Sequence, residues 1–196
     1  MTIISIDGNI GAGKSTVLKY LKSKYNHTID LEPVDDWLPF LHDVYKNNKD
    51  AFEFQIKVWT DRMFDTYYPP NTKTLVERSG HFQWHVFTKY SLETGKLTDR
   101  QYNILKTLYD KAPTQPDVYI YLRTTPEETF KRIHKRNRNC ESDIDLPYIE
   151  KLHDMHENAY QDLVDENLPY IYDIDVEDKT PAQIAERINA IILNLP

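Results

Sequence analysis

Apolar residues gather in five short runs, at 2–7, 28–31, 73–77, 117–122 and 170–174, each four to six residues long. Runs of that length, bounded by polar or turn-forming residues, read as buried strands. Between them the period lengthens. Residues 16–21 repeat apolar positions at helical spacing. Over 49–66 the residues Phe52, Ile56, Trp59 and Met63 share one helical face. Residues 98–111 turn Tyr102, Leu105 and Tyr109 inward behind a capping box of Thr98 and Gln101. Thr125-Pro126-Glu127-Glu128 and Thr180-Pro181-Ala182-Gln183 read as further boxes, with proline at the first helical position. A helix over about 147–166 carries Ile149, Leu152 and Leu163. Strands alternating with helices imply an α/β fold: a five-stranded parallel sheet with helices on both faces. The 196 residues suffice for one compact domain, expected to span 1–196.

Charge and cysteine content narrow the picture. A net charge of −7 argues against a broad nucleic-acid-binding surface. The single cysteine, Cys140, excludes an internal disulfide framework and fits a reducing compartment. With no apolar leader and no long apolar span, the expectation is a cytoplasmic protein with no membrane partner.

The strongest chemical signal lies between the first strand and the first helix. Gly8-Asn9-Ile10-Gly11-Ala12-Gly13-Lys14-Ser15 has the spacing G-x-x-x-x-G-K-[ST], and Thr16 follows it. Glycines let backbone N–H groups crowd around phosphate oxygens, and the helix behind them directs its positive end at the same anion. Lys14 is expected to reach the transferable phosphates, and Ser15 to sit on Mg²⁺.

In a parallel sheet ligands bind beyond the carboxyl ends of the strands. There the sequence offers three further groups. Glu32, held extended by Pro33, reads either as a general base or as an ordinary strand-end glutamate. Glu77, after an apolar strand, is placed to hold Mg²⁺ through water. Arg78 beside it reads as a phosphate or carboxylate partner, or as a surface ion pair. Arg132, Lys135, Arg136 and Arg138 read as a solvated helix end or as a lid, about 132–145, that closes on phosphates.

Together these landmarks resemble the deoxyribonucleoside kinases. The likeness rests on 6–16, on Glu32-Pro33-Val34 with Trp37, and on Phe54-Gln55 and Glu77-Arg78-Ser79. It continues through Leu122-Arg123 with Pro126-Glu127, then Arg132-x-x-x-Arg136-x-Arg138-x-x-Glu141, then 146–153. The resemblance implies a P-loop kinase fold with an arginine-bearing lid. It implies ATP-dependent phosphorylation of the 5′-hydroxyl of a deoxyribonucleoside, with Mg²⁺, in a homodimer. It also implies roles: Glu32 as base; Gln55 on the base edge; Phe87 and Trp37 against the base; Tyr45 and Glu141 on the sugar 3′-hydroxyl. Arg78 would steady Glu32, Glu77 would serve Mg²⁺, and Arg132, Arg136 and Arg138 would be the lid cations. Base recognition carries a mixed code. Gln83 stands where cytosine- and purine-reading members place an aspartate, Arg62 sits seven residues after Gln55 as in those members, and Val58 is bulkier than some have.

Two rivals remain at this level. One is a nucleoside monophosphate kinase of the thymidylate type, which would need added cations for the acceptor phosphate. The other is a non-catalytic phosphate-loop switch, for which an N-K-x-D segment is lacking. His153 and His156 lie three apart on a helix, without spaced partners for zinc, and read as a structural face. The 49–66 helix, with Phe64 and Trp59 free to face outward, is a candidate dimer surface.

Overall fold

The computed structural model describes residues 1–46, 50–64, 68–112 and 115–196. Strand β1 (Thr2–Asp7) leads into helix α1 (Lys14–Tyr25), followed by β2 (Thr28–Asp30), α2 (Val34–Lys46) and α3 (Ala51–Trp59). A π-helical turn, Thr60–Phe64, prolongs α3. Then come β3 (Lys73–Glu77) and a helical run of α4 (Gly80–Phe82), a π-helical segment (Gln83–Thr88) and α5 (Lys89–Glu93). The chain closes with α6 (Asp99–Asp110), β4 (Val118–Arg123), α7 (Pro126–Arg136), α8 (Leu146–Asp165), β5 (Ile171–Asp175) and α9 (Pro181–Leu193).

All strand pairs are parallel, in the order β2-β3-β1-β4-β5. Strand alternation sorts the two faces. Ile4, Ile6, Ile120 and Leu122 pack with Leu18 and Leu21 of α1 and Ile184 and Ile188 of α9. Tyr119 and Tyr121 turn the other way, onto Phe82, Leu152 and Ala159. Each such fully buried Leu or Ile contributes roughly 1.5–3 kcal/mol of transfer free energy.

The expected helix over 49–66 is α3 with its π-helical extension; positions 49, 65 and 66 lie outside the described residues. Its apolar face is the expected one, since Trp59 and Met63 are buried with Phe52 and Ile56 against them. That placement corrects the notion of Trp59 as part of an outward dimer surface. Trp59 is completely buried, with Trp84 and Leu105 in the same cluster, while Phe64 is exposed. The boxes at Thr98 and Thr180 close reciprocally. At Thr125 only half of the box forms: its side chain accepts from Glu128 N, and its own N–H donates to Glu177 Oε1.

The β1–α1 turn depends on backbone no side chain tolerates. Gly8 has φ +144°, and a Cβ there would lie 2.7 Å from the Leu122 carbonyl oxygen and 3.2 Å from Ala12 Cβ. Neither neighbour is a flexible side-chain end, so the strain has no easy outlet. Gly8→Ala is expected to lose on the order of 2–3 kcal/mol of stability in urea unfolding. A loss under about 0.5 kcal/mol would show that the turn is not constrained in this way.

Candidate active site

A cavity of about 320 Å³ opens beyond the carboxyl ends of the first three strands. That is within the range of small-ligand sites. Ile10, Gly11, Gly13, Lys14, Ser15 and Thr16 of the phosphate loop form one wall. Gly13, left-handed at φ 99°, turns the chain into α1. Gly8, Asn9 and Ala12 lie behind that wall and shape the loop. Asn9 Nδ2 donates to the Ile149 carbonyl, 3.3 Å away, which ties the loop to α8. Lys14 donates to the carbonyls of Gly8 and Asn9, each at 3.1 Å. Burial and the charge of Arg78 pull its pKa down to about 8, against the opposing pull of Glu32, Glu77 and Asp7.

Three carboxylates and an arginine meet beside the loop. Glu32, at the tip of β2, accepts from Arg78 Nε at 2.7 Å. Burial alone would raise the Glu32 pKa, but the charges of Arg78 and Lys14 outweigh it and hold the carboxyl below its ordinary value. Glu77 accepts from Ser15 Oγ at 2.6 Å and from the Glu32 backbone N–H at 3.3 Å. Burial and the neighbouring Glu32 charge raise its pKa. Asp7, at the end of β1, is fully buried and accepts from both the N–H and the hydroxyl of Ser79. Burial raises its pKa too.

Arg78 departs from ordinary backbone geometry. Its φ is 65°, a left-handed value uncommon for a side chain of this size. The kink is pinned by Arg78 N donating to the Ile6 carbonyl and Ser79 N donating to Asp7. It throws the guanidinium across the strand ends, 4.4 Å from the centre of the Phe87 ring.

The far wall comes from α2, α3 and the π-helical segment. Trp37, Leu41 and Tyr45 recur at four-residue spacing and present one stripe of α2 to the cavity. Phe54 and Val58 face them from α3. The extra residue in the π-helical turn brings Gln83 and Thr88 together, and Thr88 Oγ1 lies 3.3 Å from the Gln83 carbonyl. Gln83 and Phe87 line the cavity. Gln55 does not line the main cavity. It borders an adjoining small hollow shared with Tyr45, Phe54 and Phe87, and its Oε1 accepts from Gln83 Nε2 and Thr88 Oγ1, both at 2.9 Å.

Arg62 is not brought to this cavity, contrary to its expected place at the base. It is buried behind β2 and β3, paired with Asp30 at 2.8 Å and donating to the carbonyls of Leu31 and Glu77. The competing principle is charge satisfaction: the Asp30 carboxylate at the end of β2 claims the guanidinium.

The arginine-rich segment closes the remaining side. Arg132 pairs with Glu128 and donates to the carbonyls of Ala12 and Val176. Arg136 grips Glu141 with Nε and Nη2, and Arg138 reaches the same carboxylate at 3.3 Å. Arg132, Arg136, Arg138 and Glu141 all line the cavity. Cys140 is buried beside Trp37, Leu41 and Val58. His156, read from sequence as structural, is fully buried and touches Arg78. Only its helical spacing is visible locally, and the partner lies 78 residues away. Among the described residues no group of three or more His, Cys, Asp or Glu side chains is arranged to hold a metal ion, and no helix is long and apolar enough to cross a membrane.

Comparison with known proteins agrees with this geometry. The chain is 32% identical to a deoxyadenosine kinase of Dictyostelium discoideum, over 96% of this chain and 78% of that one. It is 29% identical to the mitochondrial thymidine kinase 2 of Homo sapiens, over 80% of this chain and 63% of the human one. The solved structure of a deoxyadenosine kinase from M. mycoides, with dCMP and dCDP bound, superposes with a TM-score of 0.84 at 26% identity and full coverage of both chains. The family described as deoxynucleoside kinase matches residues 4–194. With so little of the sequence left outside that match, the chain belongs to the deoxynucleoside kinase family.

Proposed function

We infer that the protein transfers the γ-phosphoryl group of ATP to the 5′-hydroxyl of a deoxyribonucleoside, within a single domain over 1–196 whose lid is about 132–145. One observation supports this reading above the others. The Glu32 carboxylate, kept ionised by Arg78, borders the same cavity as Lys14 and Ser15. A base for an alcohol and a cradle for a triphosphate thus share one space. Phosphoryl transfer asks mainly for that positioning and for charge stabilisation.

The nucleoside base fits between Phe87 and the Trp37–Phe54 pair, with the Gln83 amide at its edge and Gln55 behind it, holding Gln83 Nε2 at 2.9 Å. Amides offer donors and acceptors without a net charge, so a neutral base edge suits them. Tyr45 and Glu141 hold the sugar 3′-hydroxyl, with Glu141 oriented by Arg136 and Arg138. Glu32 accepts the 5′-hydroxyl proton, while Lys14 and the lid arginines offset charge on the transferring group. The Ser15 hydroxyl and Glu77 carboxylate, 2.6 Å apart, are hard oxygen donors that fit Mg²⁺. When bound there, Mg²⁺ supplies neutralisation of the phosphate oxygens. As a family member the protein is read as a cytoplasmic homodimer.

The test is product formation by purified protein with Mg–ATP and thymidine, deoxycytidine, deoxyadenosine or deoxyguanosine, beside dTMP. A deoxynucleoside 5′-monophosphate is the expected product. Phosphorylation of dTMP alone would overturn the assignment in favour of a monophosphate kinase.

A further inference from the structure

The Arg78 guanidinium needs more than Glu32 to hold it. It is a long side chain on a kinked backbone, and it spans from the end of β3 to α8. Its Nη1 lies 3.4 Å from His156 Nε2. The other ring nitrogen fixes what that contact is. His156 Nδ1 is 2.7 Å from the carbonyl oxygen of Leu152, one helical turn earlier. A carbonyl only accepts, so Nδ1 carries the proton and Nε2 presents its lone pair to Arg78. The ring cannot swing away. Phe82 and Tyr121 stack along it at 5.7 and 6.5 Å between centroids, and Phe87 meets it edge-on at 5.7 Å. Phe87 also lies under the guanidinium.

We propose that His156 is a positioning residue for phosphoryl transfer: its neutral imidazole accepts from Arg78 Nη1 and thereby aims Arg78 Nε at the Glu32 carboxylate. This role rests on the kinase reading, with Glu32 as base and Arg78 as its partner. His156 touches no substrate; it acts only through Arg78. The surroundings keep the ring in the form the contact requires. Burial and the positive charge of Arg78 from the end of β3, then Lys14 from the phosphate loop and His153 from α8 itself, push its pKa well below the ordinary histidine value. A protonated ring would turn a donor toward Arg78 and repel it.

The test is a double-mutant cycle. His156→Phe keeps the aromatic packing and deletes the acceptor. It is expected to lower kcat about 10- to 100-fold, as a small misplacement near the reacting groups does, with the nucleoside Kd within about threefold of wild type. His156→Gln, which retains an acceptor, is expected to recover most of that loss. In an Arg78→Met background His156→Phe is expected to change kcat less than about threefold, because the group it serves is gone. A merely structural histidine would give equal losses in both backgrounds, and that result overturns the proposal. So does His156→Phe with wild-type kcat. Should His156→Phe fail to fold, His156→Leu, which also lacks an acceptor, carries the same cycle: a kcat loss that vanishes in the Arg78→Met background supports the proposal, and equal losses or wild-type kcat overturn it. Wild-type protein that phosphorylates no deoxynucleoside defeats the kinase reading itself, and the proposal with it. An active wild type with an additive cycle defeats the proposal alone.

Discussion

Glu32→Gln protein is expected to bind deoxynucleoside with near wild-type affinity and to turn it over about 10²–10⁴ times more slowly, the usual worth of a general base. The substitution is close to isosteric, so the cavity keeps its shape. The groups assigned to the base and sugar, Phe87, Gln83, Tyr45 and Glu141, are not altered. What disappears is the anion proposed to receive the 5′-hydroxyl proton, the same one that engages Arg78 Nε at 2.7 Å. The amide oxygen still accepts from Arg78, so the arginine keeps a hydrogen bond while the ion pair is lost. The split is therefore diagnostic: nucleoside Kd by calorimetry against kcat by product formation. A variant with near-full kcat would remove Glu32 from the chemistry. A variant with intact kcat but weakened binding would make it a sugar-binding group instead.

Lys14→Ala should cost more broadly. Losing one preorganised charge donor typically costs on the order of 10²–10³ in kcat. Here the same side chain also ties the carbonyls of Gly8 and Asn9, so the loop loses its internal clasp as well. Retained transfer would exclude the loop from the mechanism. The wild-type protein offers a milder version of the same experiment. Because burial and Arg78 bring the Lys14 pKa down to about 8, the ammonium is present below that pH and lost above it. kcat/KM for ATP, which reports the free protein, is expected to fall about tenfold per pH unit well above pH 8. Under saturating ATP the phosphates favour the cation, so the kcat profile bends at higher pH. A flat kcat/KM profile to pH 9.5 would mean that Lys14 keeps its proton throughout.

Much of the framework is readable in the linear chain because its signals are local. The runs 2–7 and 73–77 are β1 and β3 residue for residue, and the bounds of the other three strands lie within one residue of their runs. The helix over 34–46 escapes such reading. Pro33 and Pro39 break the pattern, although Trp37, Leu41 and Tyr45 keep a four-residue spacing that marks the face. The run over 80–93 escapes it too, since its middle winds as a π-helix and the apolar residues lose a 3.6-residue period. The site divides along the same line. The phosphate loop, Glu32, Glu77 and Arg78 follow strand ends and are found by that rule. The departures involve partners far apart in sequence. Arg62 is claimed by Asp30, thirty-two residues away, and His156 reaches Arg78 from α8. Glu177 supplies the half of the Thr125 box that Glu128 does not. No periodicity encodes those meetings.

The placement of β1 governs how this molecule is assembled. The strand nearest the amino terminus is the middle of the sheet, paired on one side from Thr2↔Lys73 and on the other from Ile4↔Val118. Its second neighbour is thus made more than a hundred residues later than itself, a nonlocal closure of the kind that slows folding. During synthesis the stem of the phosphate loop must wait half-paired for β4. Shortening the chain by its first seven residues would not trim an edge; it would part the β2–β3 ladder from the β4–β5 ladder and leave four raw edges in place of two.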